Sequence, residues 1–189
     1  MKVLIVGGVA GGATTAARLR RVSENSEIII FEKGPYVSFA NCGLPYHLSG
    51  TIRDREQLLV TSAEDLHHLL NLDVRTNQEV LSIDRANKTV TVRDLLNQRD
   101  YTESYDKLLL SPGASPIVPP LPGVDQEGVF VLHNIPELDD IVAWIKTHHP
   151  KNAVVVGGGF IGLEVAENLV ELGLKVDLVE MLNQVMAPV

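Results

Sequence analysis

Cys42 is the only cysteine among 189 residues, and it stands in the run Ser38-Phe39-Ala40-Asn41-Cys42-Gly43-Leu44-Pro45-Tyr46. A thiol without a partner in the chain cannot store two electrons as an internal disulfide. If it cycles, its oxidised form is a mixed disulfide with a small thiol, a persulfide or a sulfenic acid. Asn41 is a suitable helix cap and Pro45 is tolerated in a first helical turn, so the run predicts a helix N-terminus at Cys42. Helix N-termini favour thiolates, the nucleophilic form in disulfide exchange. The competing reading is a small buried hydrophobe, the commonest fate of a free cysteine. His47 follows five residues later, a spacing that does not bring two side chains together on a helix, and it is given no role as a base.

Two glycine clusters carry the second kind of chemistry. Gly157-Gly158-Gly159-Phe160-Ile161-Gly162 follows the apolar run Val154-Val155-Val156 and opens a helical pattern, with Glu180 at the end of the next apolar run. In this pattern Gly157 permits the tight turn, Gly159 lets backbone approach a pyrophosphate, and Gly162 lets the helix pack on the strand. Glu180 would accept hydrogen bonds from an adenosine ribose and repel a 2′-phosphate, which favours NADH over NADPH. The earlier cluster, Gly7-Gly8-Val9-Ala10-Gly11-Gly12, has Val9 where the middle glycine is usual, yet it too lies between a strand and a helix and has Glu32 closing the next strand. A nucleotide is expected there as well. A glycine-rich turn without a ligand is the alternative, closer for the first cluster than for the second.

The elements that must position these groups follow from periodicity. Residues 2–6, 11–23 and 27–32 read as strand, helix and strand, a βαβ unit. Thr61-Ser62-Ala63-Glu64 looks like a capping box opening a helix through Leu66, Leu69 and Leu70. Segments 79–84 and 88–93 alternate apolar and polar residues, with a further strand near 100–105, and predict a small antiparallel meander. Leu108-Leu109-Leu110 is a short buried strand ending in Ser111-Pro112-Gly113. Pro116, Pro119, Pro120 and Pro122 then form a connector, a helix spans 135–148, and a second βαβ unit starts near 152. The expected fold class is α/β: a Rossmann-like unit with an antiparallel β meander over 1–122, followed by the start of a second Rossmann unit over 123–189. A dinucleotide-binding half needs strands and helices beyond Glu180, so the chain reads as a piece of a longer protein.

Composition bounds the rest. With 45% hydrophobic residues and a formal net charge of −8, the chain reads as globular and is not expected to bind nucleic acid, although Arg18, Arg20 and Arg21 form a local basic group. No run is long enough for a membrane span, and the first six residues are too short for a signal peptide. A cytoplasmic location is expected. No His/Cys spacing suggests a zinc site, and no metal is expected.

These segments together resemble the single-cysteine branch of the FAD-dependent pyridine nucleotide-disulfide oxidoreductases, in particular coenzyme A disulfide reductases and NAD(P)H-dependent persulfide reductases. The resemblance is carried by Val6 to Thr14, Ile30-Phe31-Glu32-Lys33, Ser38 to Cys42, Leu110 to Ala114 and Gly157 to Glu164. It spans nearly the whole chain, and Val9 is itself similar to that branch. It implies FAD on the first unit, held by Gly7, Gly8, Val9, Ala10, Gly11, Gly12, Glu32, Lys33, Val80, Ser111, Pro112 and Gly113, with Pro112 where the family more often has Thr. It implies NAD(P)H on the second, at Gly157, Gly159, Phe160, Ile161, Gly162 and Glu180, and Cys42 as the catalytic thiol facing the flavin. Thr14, Arg18, Arg21, Ser38 and Asn41 would contact coenzyme A. The implied reaction is reduction of coenzyme A disulfide, or of related small disulfides and persulfides, by a protein that is a homodimer when whole; this piece alone is expected to be inactive. The alternatives are an NADH oxidase or peroxidase with a Cys-sulfenic acid centre, and a nucleotide-binding redox module without turnover.

Overall fold

The computed structural model describes residues 1–187, so the last two residues of the 123–189 span lie outside it. The chain divides into two compact units that are discontinuous in sequence. Met1–Phe39 joins Leu59–Ala114, and Ala40–Leu58 joins Ser115–Val189. Composition places a boundary after Pro122, whereas contact groups the cysteine segment, residues 40–58, with the C-terminal part of the chain.

In the first unit β1 (Lys2–Val6) leads into α1 (Gly11–Val22) and β2 (Glu27–Glu32), as the periodicity predicts. A short β3 (Asp73–Thr76) and β7 (Lys107–Leu110) complete a four-stranded sheet in the order β3-β2-β1-β7. All its pairings are parallel. Both faces are covered, which is why β2 is apolar through Ile28-Ile29-Ile30-Phe31 instead of alternating. Ile28 and Ile30 pack with Val3, Ile5, Ala16, Leu66 and Leu72, the last three from α1, from α3 (Ala63–Leu70) and from just beyond it. Ile29 and Phe31 turn the other way, onto Val90 and Val92 of an antiparallel sheet. That sheet is the meander β4 (Gln78–Asp84), β5 (Thr89–Asp94) and β6 (Arg99–Ser104), in the order β4-β5-β6. The box that caps α3 pairs Ser62 with Asp65, one residue later than the sequence signal at Glu64.

The second unit contains α2 (Leu44–Leu48) and α4 (Ile135–His148). It also holds β8 (Asn152–Val156), α5 (Phe160–Glu171) and β9 (Lys175–Val179). β8 and β9 pair in parallel. This is the expected βαβ start, preceded by a helix over the residues that the sequence assigns to it.

Candidate active site

The two glycine clusters fold into nearly identical turns. Gly7 and Gly157 have φ of +93° and +105°, the left-handed region that L side chains avoid. A Cβ at Gly12 would overlap the carbonyl oxygen of Gly7, and one at Gly162 would overlap that of Gly157. The first and last glycines are therefore required by the chain itself, whatever it binds.

The acidic residue at the end of the second strand has the same task in each unit. Glu32 Oε2 accepts from the Gly8 N–H at 2.7 Å and Oε1 from the Gly34 N–H at 2.8 Å. Glu180 Oε2 accepts from the Gly158 N–H at 2.6 Å and Oε1 from the Leu182 N–H at 2.8 Å. The donated bonds from Leu182 and then Gly158 hold the Glu180 carboxyl below the usual carboxylate range. An ionised carboxylate has about four acceptor positions, so each glutamate keeps capacity for ribose hydroxyls.

The helices behind these turns are prepared for an anion. Neither α1 nor α5 has a side-chain cap or an acidic residue in its first turn. By contrast α3 is capped by Ser62 and α4 by Asn134, and both carry acids there. The leading N–H groups of α1 and α5 thus remain available to phosphate oxygens. At Gly159 a Cβ would meet nothing among the described residues. Its lack of a side chain answers no internal demand, which fits the close approach of a pyrophosphate. The residues present fit a dinucleotide at both turns.

Ser111 joins the first turn. Its backbone N–H donates to Val6 O at 2.8 Å, and the space where Cβ atoms of Gly7 and Gly11 would lie is filled by Ser111. Ser38 joins it from the other side, its N–H donating to Gly8 O at 3.0 Å and its carbonyl accepting from Val60 N at 2.9 Å. Ser38 does this at φ +47°, a strained conformation for a residue other than glycine and the kind that clusters at functional sites. Lys33 pairs with Glu79 at 2.8 Å. Val80 lies on β4, beside a register shift, with its side chain against the Leu4, Ile29 and Phe31 cluster. Thr14, Arg18 and Arg21 line the exposed face of α1. Arg18 and Arg21 have no hydrogen-bond or ion-pair partner among the described residues. Arg20 departs from the basic group that the sequence suggests. Its guanidinium donates to the carbonyls of Leu70, Ser26 and Asn71 and is used up in tying α1 to the end of α3.

Cys42 is free and exposed, so it is not the buried hydrophobe that an isolated cysteine suggests. It occupies the middle of a single 3₁₀ turn, Asn41–Gly43, that runs directly into α2. Asn41 is not a side-chain cap as expected. Its carbonyl accepts from the Leu44 N–H, and the backbone alone closes the turn. Gly43 packs against Leu58 and Ile52, which fixes the turn from behind.

A cavity of about 300 Å³ opens at the thiol. Asn41, Cys42, Leu44 and Pro45 form one wall and Phe160, Ile161 and Glu164 of α5 another, with Leu132 and His133 between them. Sequence reasoning names Cys42, Asn41, Phe160 and Ile161 but misses Glu164 and His133. Glu164 stands one helical turn after Phe160 and could have been found from that spacing. His133 has no sequence signal.

Comparison with known proteins identifies the family. The family described as pyridine nucleotide-disulphide oxidoreductase matches residues 1–189. The coenzyme A disulfide reductase of Staphylococcus haemolyticus is 42% identical over 188 residues, 98% of this chain and 42% of that protein. Among solved structures, reduced CoADR-RHD of Bacillus anthracis superposes with a TM-score of 0.97 at 52% identity, covering 100% of this chain and 34% of that one. A NAD-dependent persulfide reductase from A. fulgidus gives 0.94 at 37% identity, covering 99% and 35%. The chain thus spans less than half the length of each of these proteins.

Proposed function

Because this chain belongs to the pyridine nucleotide-disulphide oxidoreductase family, we propose that it is the part of an FAD-dependent, NAD(P)H-using reductase that carries the exchanging thiol. Its substrates in this reading are coenzyme A disulfide or related small disulfides and persulfides. The observation that carries the proposal is the cavity in which exposed Cys42 faces the first turn of α5, the helix that the nucleotide fingerprint opens. When bound, FAD supplies the two-electron relay between nicotinamide and sulfur. The Cys42 thiolate attacks one sulfur of the disulfide, the other leaves as a thiolate, and a mixed disulfide remains on Cys42. Two electrons and a proton then release the second thiol and restore Cys42.

The other residues hold the participants. Gly7 to Gly12, with Ala10 and Val9, would cradle the FAD pyrophosphate, with Glu32 on the ribose and Ser111-Pro112-Gly113, Lys33 and Val80 completing the site. Gly157, Gly159 and Gly162 would do the same for NAD(P)H, with Phe160 and Ile161 on the cavity wall. Glu180, fixed and ionised, favours NADH because a 2′-phosphate would meet its negative charge. Arg18 and Arg21, one turn apart and without partners among the described residues, suit the phosphates of coenzyme A, and Thr14, Ser38 and Asn41 are assigned to the same ligand. No helix among the described residues is long and apolar enough to cross a membrane. A cytoplasmic homodimer is part of the proposal.

The test is Cys42→Ser in the full-length protein. NADH consumption driven by coenzyme A disulfide should fall to background while NADH binding persists. Undiminished disulfide-dependent turnover would eliminate the proposal.

A further inference from the structure

The cavity at Cys42 is built from segments far apart in sequence, and one buried side chain of α5 is bonded to the residue that ends α2, the helix whose Leu44 and Pro45 line the cavity. Asn168 on α5 is 1% exposed. Its Oδ1 accepts from Ser49 Oγ at 2.6 Å, and its Nδ2 donates to the carbonyl of Glu164 at 2.8 Å. Ser49 is the residue that ends α2, and its hydroxyl also lies 2.9 Å from Thr51 Oγ1. Glu164 is a residue of the opposite cavity wall. A buried amide is costly unless it is satisfied, and apolar packing against α2 would have served a purely structural contact as well. At the far end of the cysteine segment Arg55 grips Asp139 of α4 through two bonds of 2.7 Å.

We propose that Asn168, acting through Ser49, is a positioning residue that sets the spacing between Cys42 and the first turn of α5. The bond it makes is directional, and it fixes both how far α2 stands from α5 and the rotation of the turn that carries the thiol. The inference rests on the reading of Cys42 as the exchanging thiol. Misplacement of reacting groups by about 1 Å costs up to 10²-fold in rate, so loss of this bond is expected to show in chemistry before it shows in folding.

The test uses the full-length holoprotein and the variants Asn168→Ala, Ser49→Ala and Ser49→Thr, with three readouts. These are the melting temperature, kcat and KM for coenzyme A disulfide, and the rate at which Cys42 exchanges with the aromatic disulfide DTNB in the absence of NADH. Ser49→Ala should lower kcat by about tenfold, leave KM for coenzyme A disulfide within about twofold, change the DTNB rate by about fivefold or more and shift the melting temperature by no more than about 2 °C. Ser49→Thr, which keeps the hydroxyl, should restore kcat and the DTNB rate. Asn168→Ala should add little to Ser49→Ala when the two are combined, as expected for one shared bond. Unchanged kcat and DTNB rate in Ser49→Ala would overturn the proposal, as would a fall in melting temperature alone. Ser49→Ala keeps the test valid if Asn168→Ala does not fold. Failure of the Cys42 reading is separable, since it would appear as turnover in Cys42→Ser.

Discussion

The two glycine turns share a backbone and differ in what surrounds it. Each has a left-handed first glycine, a last glycine pressed against the carbonyl of the first, and a glutamate that binds two backbone N–H groups. In the first unit a fourth strand delivers Ser111 into the space beside Gly7 and Gly11, and Ser38 closes on Gly8. In the second unit Gly159 faces open space where the first unit has Val9. The difference separates two demands that a glycine pattern mixes together. Some glycines are required by the fold, while at Gly159 the described residues make no such demand, which in the proposed reading leaves room for a bound pyrophosphate.

The comparison breaks most visibly at its shared positions. Gly12→Ala and Gly162→Ala should each destabilise by about 2 kcal/mol or more, because the added methyl overlaps backbone that cannot yield. Denaturant melts of the full-length protein would show it. Gly159→Ala should leave stability within about 0.5 kcal/mol while weakening NADH binding by about tenfold through lost backbone approach. Equal losses of stability at Gly159 and Gly162 would remove the distinction between them.

A smaller effect is expected from Glu180→Gln. Its amide keeps the shape but not the charge, and the ratio of NADH to NADPH affinity should fall by several-fold, measured by titration. The Glu180 carboxyl is held low by the Leu182 and Gly158 N–H groups. A depressed carboxyl stabilises the fold above its ordinary value near 4.5 and stops doing so as pH falls through the lowered value. Wild type should therefore lose a stabilising contribution in acid that Glu180→Gln lacks. Least affected is the antiparallel sheet of the first unit. Asp94 accepts from Asn97 Nδ2 and from the N–H groups of Asn97 and Leu96 at the β5–β6 turn. These bonds, the Asn97 side chain foremost, bring its carboxyl down to about 2. Its contribution is complete above pH about 4 and is lost as pH falls through about 2. Asp94→Asn should flatten that limb of the acid-unfolding curve and leave cofactor binding unchanged.

Much of this was legible in the residues. β2 is read from Ile28-Ile29-Ile30-Phe31, since a strand covered on both faces is apolar throughout, and the meander is read from its alternation. β3 was missed because Asp73-Val74-Arg75-Thr76 has one apolar residue. It is held by parallel pairing to β2 and by Arg75, which bonds Asp73 and Glu103 and lies over the Phe31 ring. The helical turn at Cys42 was legible from its neighbours, but the cavity was not. Its second wall lies more than a hundred residues later, and α2 is too short to show a periodicity that would say where it packs. Asn168 was silent for the same reason, because one asparagine on a helix reads as a surface residue until its partners are known.

The measurement that bears most directly on the account is the intact mass of the full-length protein under non-reducing conditions after exposure to coenzyme A disulfide, before and after dithiothreitol. One coenzyme A-sized adduct on Cys42 that the reductant removes is expected. An unmodified Cys42 would contradict it, and oxygen additions in place of the adduct would assign the thiol to peroxide or oxygen chemistry instead.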